Sequence, residues 1–590
     1  MKKSVWIVLL TAVTMTVFAV PAKRGWQTVE QADGTTVELQ LIGDEFNHYW
    51  VNRAGEEVRL NAAGMYEAVG TAPSRAQVQA RRAQVKARKQ RAEVGVKPNL
   101  APRGVVILVN FADTKMQSAH TLSVFDELCN SENCTVNAYA GKHYPSAAEY
   151  FKAQSDGKYR PQFDVFGPVT LEKGYAFYGQ NDEDGNDLYP ADAVIEACIL
   201  AKEQYPNLNF ADYDSDKDGY VDFIYVIYAG KGEADGGDEN TIWPHNWEIE
   251  LNVTPYICDY RSCWVDPNGE RLSCCYTEED IVIDGVTLNN YAMSSELSGN
   301  ALGGIGTLCH EFGHVMGLPD LYDTNYGTNY RSELTPAEWN IMDGGSYNGD
   351  GHCPPNYDPW QKYFMGWITP ENLGDVGQDL VLEANGTAGY KAYQVNESGK
   401  QESATQTGLN YYFENRQQNG WDEYIPAEGM LIWKVDFDAN AWTENEPNNT
   451  ANRPRYTLVI PSGTRIGANR GSQNVWPYAD KNTWEGVSGR PLKDITRDGK
   501  QIKLTYIDNL TSFLVQWFVN GELLESREYS KDGSEELSLP TTPFDACEDT
   551  QFIGWTQQPQ WCDPFAAPED LDENPNGNVT RPANYYAVFE

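Results

Sequence analysis

This chain has little histidine, little positive charge and, past its N-terminal segment, no long apolar run. Each shortage excludes something. Lys and Arg number 45 against 85 Asp and Glu, a net charge of −40 at pH 7. A nucleic-acid partner needs a basic face for its phosphates, so none is expected. No later stretch is apolar for long enough to span a bilayer, so no membrane span is expected in the mature form. Cysteine is absent before Cys129, and no lipid anchor near the N-terminus is indicated.

The N-terminus itself carries Lys2 and Lys3, an apolar run from Val5 to Val20, then Pro21 and Ala22. That order predicts a signal peptide over residues 1–22, cleaved after Ala19 or, as the competing choice, after Ala22. The protein is then expected outside the cytoplasm, secreted or held at the cell envelope, and as a monomer. Eleven cysteines in an exported chain predict some disulfides and at least one unpaired thiol. Cys129 with Cys134 and Cys547 with Cys562 are the local pairs. Cys258, Cys263, Cys274 and Cys275 cluster in one loop-like insertion, where disulfides are favoured over a structural zinc.

Histidine is scarce, seven residues in all, yet two stand four apart in His310–Asp323, HEFGHVMGLPDLYD. On a helix that spacing puts both imidazoles on one face, where they can share a metal. Glu311 is one position along and can take a proton from the attacking water without ligating the metal. Gly317 can adopt a left-handed conformation, end the helix and bring Asp320 round as a third ligand. Three protein ligands with one open position define a catalytic zinc site. Downstream, Trp339-Asn-Ile-Met-Asp-Gly-Gly345 carries Met342 in a turn of the kind that lies beneath metal-binding imidazoles in metzincins.

These stretches, with Ile305–Asp323, Trp339–Trp367 and Asp212–Gly230, resemble the immune inhibitor A-like metallopeptidases, secreted bacterial metzincins whose third zinc ligand is Asp. The similarity extends more weakly upstream to Gly104 and downstream past Glu414-Asn-Arg416. It implies a zinc endopeptidase acting on protein or peptide substrates, with His310, His314 and Asp320 as ligands and Glu311 as general base. It also implies an N-terminal prosegment that blocks the site until removed. Cys309, just before the first zinc histidine, reads as packing on the helix's far side.

The expected architecture is an α/β metzincin-like catalytic domain, a mixed sheet plus the zinc-binding helix, between β-rich flanks. Residues 23–100 read as a β-rich propeptide, ending in a basic linker at 75–97 that holds eight Lys and Arg against one Glu. Residues 101–370 are the peptidase domain, opening on Arg103–Phe111, an apolar run suited to a strand buried on both faces. Residues 371–510 read as a β-sandwich and 511–590 as a small β-grasp-like domain. Their Trp and Tyr residues suit either core packing or stacking on a host or surface glycan or protein ligand.

Three further sites are expected. Asp214, Asp216, Asp218 and Asp222, with Gly219, match the first half of a calcium loop, although Tyr225 stands where an EF-hand has Glu. A weaker acidic turn lies at Asp182–Asp187. Tyr347 is the candidate donor to the tetrahedral oxyanion, with Tyr357 and His352 as rivals. His245, flanked by Trp, reads as structural. Since no cysteine lies in the prosegment, Asp44, Glu45 or His48 would supply its blocking group.

Overall fold

The computed structural model describes residues 18–589 apart from short gaps and the longer stretches 73–99, 182–186, 250–280, 326–332, 542–550 and 558–571. The basic linker, Glu45, the Cys258–Cys275 cluster, Cys547 and Cys562 lie outside the described residues, as does most of the Asp182–Asp187 turn.

At the centre is a mixed sheet. Four parallel strands, Asn290–Ser298, Ile224–Lys231, Arg103–Asn110 and Gln162–Thr170, lie side by side in that order. His245–Glu248 pairs antiparallel with Asn290–Ser298 and is the peptidase domain's own edge strand, to which the short Phe18–Ala19 strand adds outside it. Alternation along Arg103–Asn110 decides the layers, because successive side chains leave opposite faces. Val106 and Leu108 enter the core that holds the Gly306–Val315 helix. Val105, Ile107 and Val109 enter a second core with the Pro190–Gln204 helix. Both faces are covered, which is why this strand is apolar throughout.

N-terminal to this domain, five antiparallel strands run in sequence order from Gln27 to Thr71. C-terminal to it, a five-stranded and a four-stranded sheet share a core that includes Leu380, Phe413, Ile432, Leu492 and Leu504. The strands Gly408–Arg416 and Gly429–Phe437 are buried on both faces. Phe413 and Ile432 point into that shared core, while Tyr412, Leu431, Trp433 and Val435 join the core of the zinc-motif helix. One hydrophobic cluster therefore runs from Val106 to Val475, across the peptidase segment and the sheets that follow it.

A buried polar knot ties the same junction. Arg416 pairs with Glu414 (3.1 Å) and, through two nitrogens, with Asp422, and also donates to the carbonyl of Asn356 (3.2 Å). Trp433 donates its indole N–H to Glu414 at 2.9 Å. The last described unit is a mixed four-stranded sheet, Glu522–Ser530, Ser512–Val519, Ala583–Phe589 and Phe552–Thr556 in spatial order. Trp517 and Trp555 are buried in its core, so these two rings pack the fold and present no stacking platform.

The expected Cys129–Cys134 disulfide is not formed. Both are free thiols, buried, with burial raising the pKa of each. Cys129 points from the Leu122–Asn130 helix into the main core, with Phe125 and Leu128. Cys309 is buried in that core too. No described helix is long and apolar enough to cross a membrane.

Candidate metal centre

The Gly306–Val315 helix is held by its aromatic back. Phe312 meets Phe151, Phe163 and Phe223 edge-on, with ring centroids 5.0–5.2 Å apart. His310 and His314 occupy the opposite face. The helix stops as its sequence requires: Gly317 has φ +96°, and the N–H of Leu318 closes back onto the carbonyl of Gly313 at 3.1 Å.

Each imidazole is fixed by a carbonyl. His310 Nδ1 donates to Ile341 O and His314 Nδ1 to Leu318 O, both at 2.7 Å. With Nδ1 protonated, the Nε2 lone pairs face inward, 3.0 Å apart. Asp320 Oδ1 completes the triangle, 3.3 Å from His310 Nε2 and 3.4 Å from His314 Nε2. Tetrahedral zinc with ligands at about 2.0–2.1 Å separates its donor atoms by about 3.3 Å. Two imidazoles and a carboxylate at this spacing fit that ion. All three side chains are buried, as is Glu311 beside them.

Burial and the neighbouring His310 push the His314 imidazole down to about 4, against the pull of Asp320. Burial also opposes charge on His310, but Asp320 and Glu311 hold it up to about 9. Burial opposes charge on Asp320 as well, yet the two imidazoles keep it below the usual carboxylate range.

The turn at Met342 bears on the helix from below. A Cβ at Gly313 would lie 2.7 Å from Met342 Sδ, so any side chain there would have to push Met342 aside. The same turn supplies the Ile341 carbonyl that orients His310, and Met342 O accepts from Leu321 N at 2.7 Å. Asp320 has a partner that the motif does not reveal. Asn445, in the loop after the Ala439–Thr443 helix, accepts from Asp320 N (2.6 Å) and donates to Asp320 Oδ2 (2.7 Å).

Of the oxyanion candidates, Tyr347 donates its hydroxyl to the carbonyl of Pro21 at 2.9 Å. His352 is bound to Asn137 (2.7 Å) and stacked on Tyr139. Tyr357 is fully buried behind the helix, near Gly313, against Tyr150 and Trp367. His245 is held by Trp243 O and Tyr291 Oη.

The N-terminal segment enters this region as main chain. Phe18–Ala19 pairs antiparallel with the edge strand at Asn246 and His245 and lies against the zinc-motif helix. Ala22 is buried with Leu41, Ala234 and Trp243. His48 is directed elsewhere: its Nε2 meets Glu233 at 3.0 Å and its ring stacks on Trp243 at 4.4 Å. Of the three groups expected to block the metal, His48 is instead a dock on Glu233 and Trp243.

Asp214, Asp216 and Asp218 each place a carboxylate oxygen within 4.8 Å of the others. Asp214 receives the N–H groups of Asp218 (3.1 Å) and Gly219 (3.2 Å), and Gly219 has φ +93°. Asp222 stands outside that group and accepts from Ser215 N at 2.8 Å.

A buried two-histidine, one-carboxylate centre with an adjacent glutamate is the site of a metallopeptidase. The comparison with known families agrees. Residues 103–369 match the catalytic domain of immune inhibitor A peptidase M6. Immune inhibitor A of Bacillus thuringiensis is 23% identical over 492 residues, covering 74% of this chain and 66% of its own. The pre-pro-metalloprotease PrtV of Vibrio cholerae is 27% identical over 262 residues, 40% of this chain and 25% of its own. The chain thus covers less than two thirds of either relative.

Proposed function

We propose that this chain is a secreted zinc endopeptidase of the metzincin type, made as a latent precursor, which hydrolyses peptide bonds of extracellular proteins. The observation that carries this reading is the triangle of His310 Nε2, His314 Nε2 and Asp320 Oδ1 with Glu311 buried beside it. Zinc bound there supplies a Lewis acid for the scissile carbonyl and lowers the pKa of water to about 7. Glu311 takes the proton from the attacking water and delivers it to the leaving amine. Tyr347 donates to the developing oxyanion; its hydroxyl already donates to a peptide carbonyl, that of Pro21, which supports the role. The edge strand His245–Glu248 holds an extended substrate antiparallel through main-chain hydrogen bonds.

The contacts of Pro21, whose carbonyl accepts from Tyr347, and of the buried Ala22 support latency, since both residues remain after cleavage at Ala19. Calcium at Asp214, Asp216 and Asp218 would neutralise three converging carboxylates and brace the start of the Ile224–Lys231 strand.

The test is cleavage of an unfolded-protein mixture, with fragments read by mass, by the precursor, by the chain from Pro102 onward, and by both with Glu311→Ala. Cleavage by the shortened chain that disappears with Glu311→Ala and under a zinc chelator is expected. A metal-loaded, folded, shortened chain that cuts nothing would overturn the proposal.

A further inference from the structure

The family match ends at residue 369, but the third metal ligand is gripped from beyond it. The loop Asn445-Glu-Pro-Asn-Asn449 runs along the segment Asp320–Thr324, and three of its asparagines hold it. Asn448 Nδ2 donates to Leu321 O at 2.6 Å. Asn449 Oδ1 accepts from Thr324 N at 2.8 Å, and its amide nitrogen donates to Thr324 Oγ1 at 2.8 Å. These two hold backbone and a hydroxyl. Asn445 differs, because it takes both the N–H and the carboxylate of Asp320.

A carboxylate has two oxygens and two rotatable bonds, so as a ligand it can present either oxygen or both. Here Asn445 Nδ2 occupies Oδ2, and Oδ1 is left facing the two Nε2 atoms. The amide can act this way only if its oxygen faces Asp320 N–H, and it does, at 2.6 Å. Asn445 is itself held: it has φ +55°, a conformation Asn tolerates better than most side chains, and its N–H bonds to Trp442 O at 3.1 Å. Both Asn445 and Asp320 are buried, so water cannot substitute for either bond.

We infer that Asn445 is a positioning residue for the metal, fixing Asp320 as a one-oxygen ligand, and that the metal centre is therefore completed by the sheets that follow the peptidase domain. The inference rests on the reading of His310, His314 and Asp320 as zinc ligands. Failure of that reading would show separately, as a wild-type chain that takes up no stoichiometric zinc.

Full-length protein carrying Asn445→Asp, Asn445→Ala or Asn449→Ala is to be compared with wild type in three measurements. These are zinc affinity by chelator competition, the absorption spectrum with cobalt(II) in place of zinc, and melting of the metal-free protein. Asn445→Asp keeps the acceptor for Asp320 N–H but sets a carboxylate against Oδ2. It should weaken zinc binding by about tenfold or more and alter the cobalt spectrum. Asn445→Ala should weaken binding in the same direction and decides the matter alone if the Asp variant does not fold. Asn449→Ala should lower melting while leaving affinity and spectrum as in wild type. Unchanged affinity and spectrum in the Asn445 variants would overturn the inference. So would an equal loss of affinity in Asn449→Ala, which would make the loop a general brace.

Discussion

Raising the pH should loosen the N-terminal module from the peptidase domain, and His48 sets how far. Burial alone would keep this imidazole neutral. Glu233 at 3.0 Å outweighs burial and, with Asp187 and the Asp44 carbonyl, raises its pKa from the ordinary 6.5 to about 9. The stack on Trp243 also favours the cation. The docked module thus binds more protons than the undocked one between those two values. Docking is fully strengthened below about pH 6.5 and loses that increment as pH rises through about 9. A rise of this size corresponds to roughly 3 kcal/mol, about a hundredfold in the opening equilibrium. Amide hydrogen exchange in the Thr36–Asp44 and Asn47–Asn52 strands reads that opening, after correction for the intrinsic pH dependence of exchange. The precursor should carry Glu311→Ala so that it cannot process itself. Glu233→Gln should open more readily at pH 6.5 and show little further change up to pH 9. Identical pH profiles for the two proteins would refute the assignment of the latch to this pair.

Other perturbations bear on different parts of the molecule. Tyr347→Phe removes the hydroxyl that donates to the Pro21 carbonyl, and kcat/KM on a peptide should fall roughly 10²–10³-fold at unchanged zinc content. Gly313→Ala forces a methyl within 2.7 Å of Met342 Sδ, which should cost about 1–3 kcal/mol in urea unfolding and be partly relieved by Met342→Ala. Arg416→Leu leaves Glu414 and Asp422 buried without their cation and should destabilise the protein by about 3–5 kcal/mol in the same assay.

The clustering of the candidate metal ligands could be read from the sequence because its geometry is local. A four-residue helical spacing and one glycine with positive φ bring His310, His314 and Asp320 together. The apolar run at Arg103–Asn110 was legible for a similar reason, since burial on both faces removes polar alternation. Asn445 was not legible. It lies 125 residues from Asp320, on a loop whose composition reads as a surface turn, and only tertiary packing gives it a role. The cysteine pair failed because sequence proximity says nothing of side-chain direction: Cys129 faces the core with Phe125 and Leu128. His48 was read as a group of interest but given the wrong partner, a carboxylate on the domain's flank replacing the expected metal.

The shared core has a consequence for timing. A chain made from its N-terminus folds what has emerged, and here the core around the zinc-motif helix includes Trp433, Tyr456 and Val475. When residue 369 appears, that core still lacks one wall, and the motif residues cannot yet be held in their final geometry. The N-terminal module, made first, is already available to dock. Synthesis order alone thus makes the N-terminal module available before the core around the zinc-motif helix is complete.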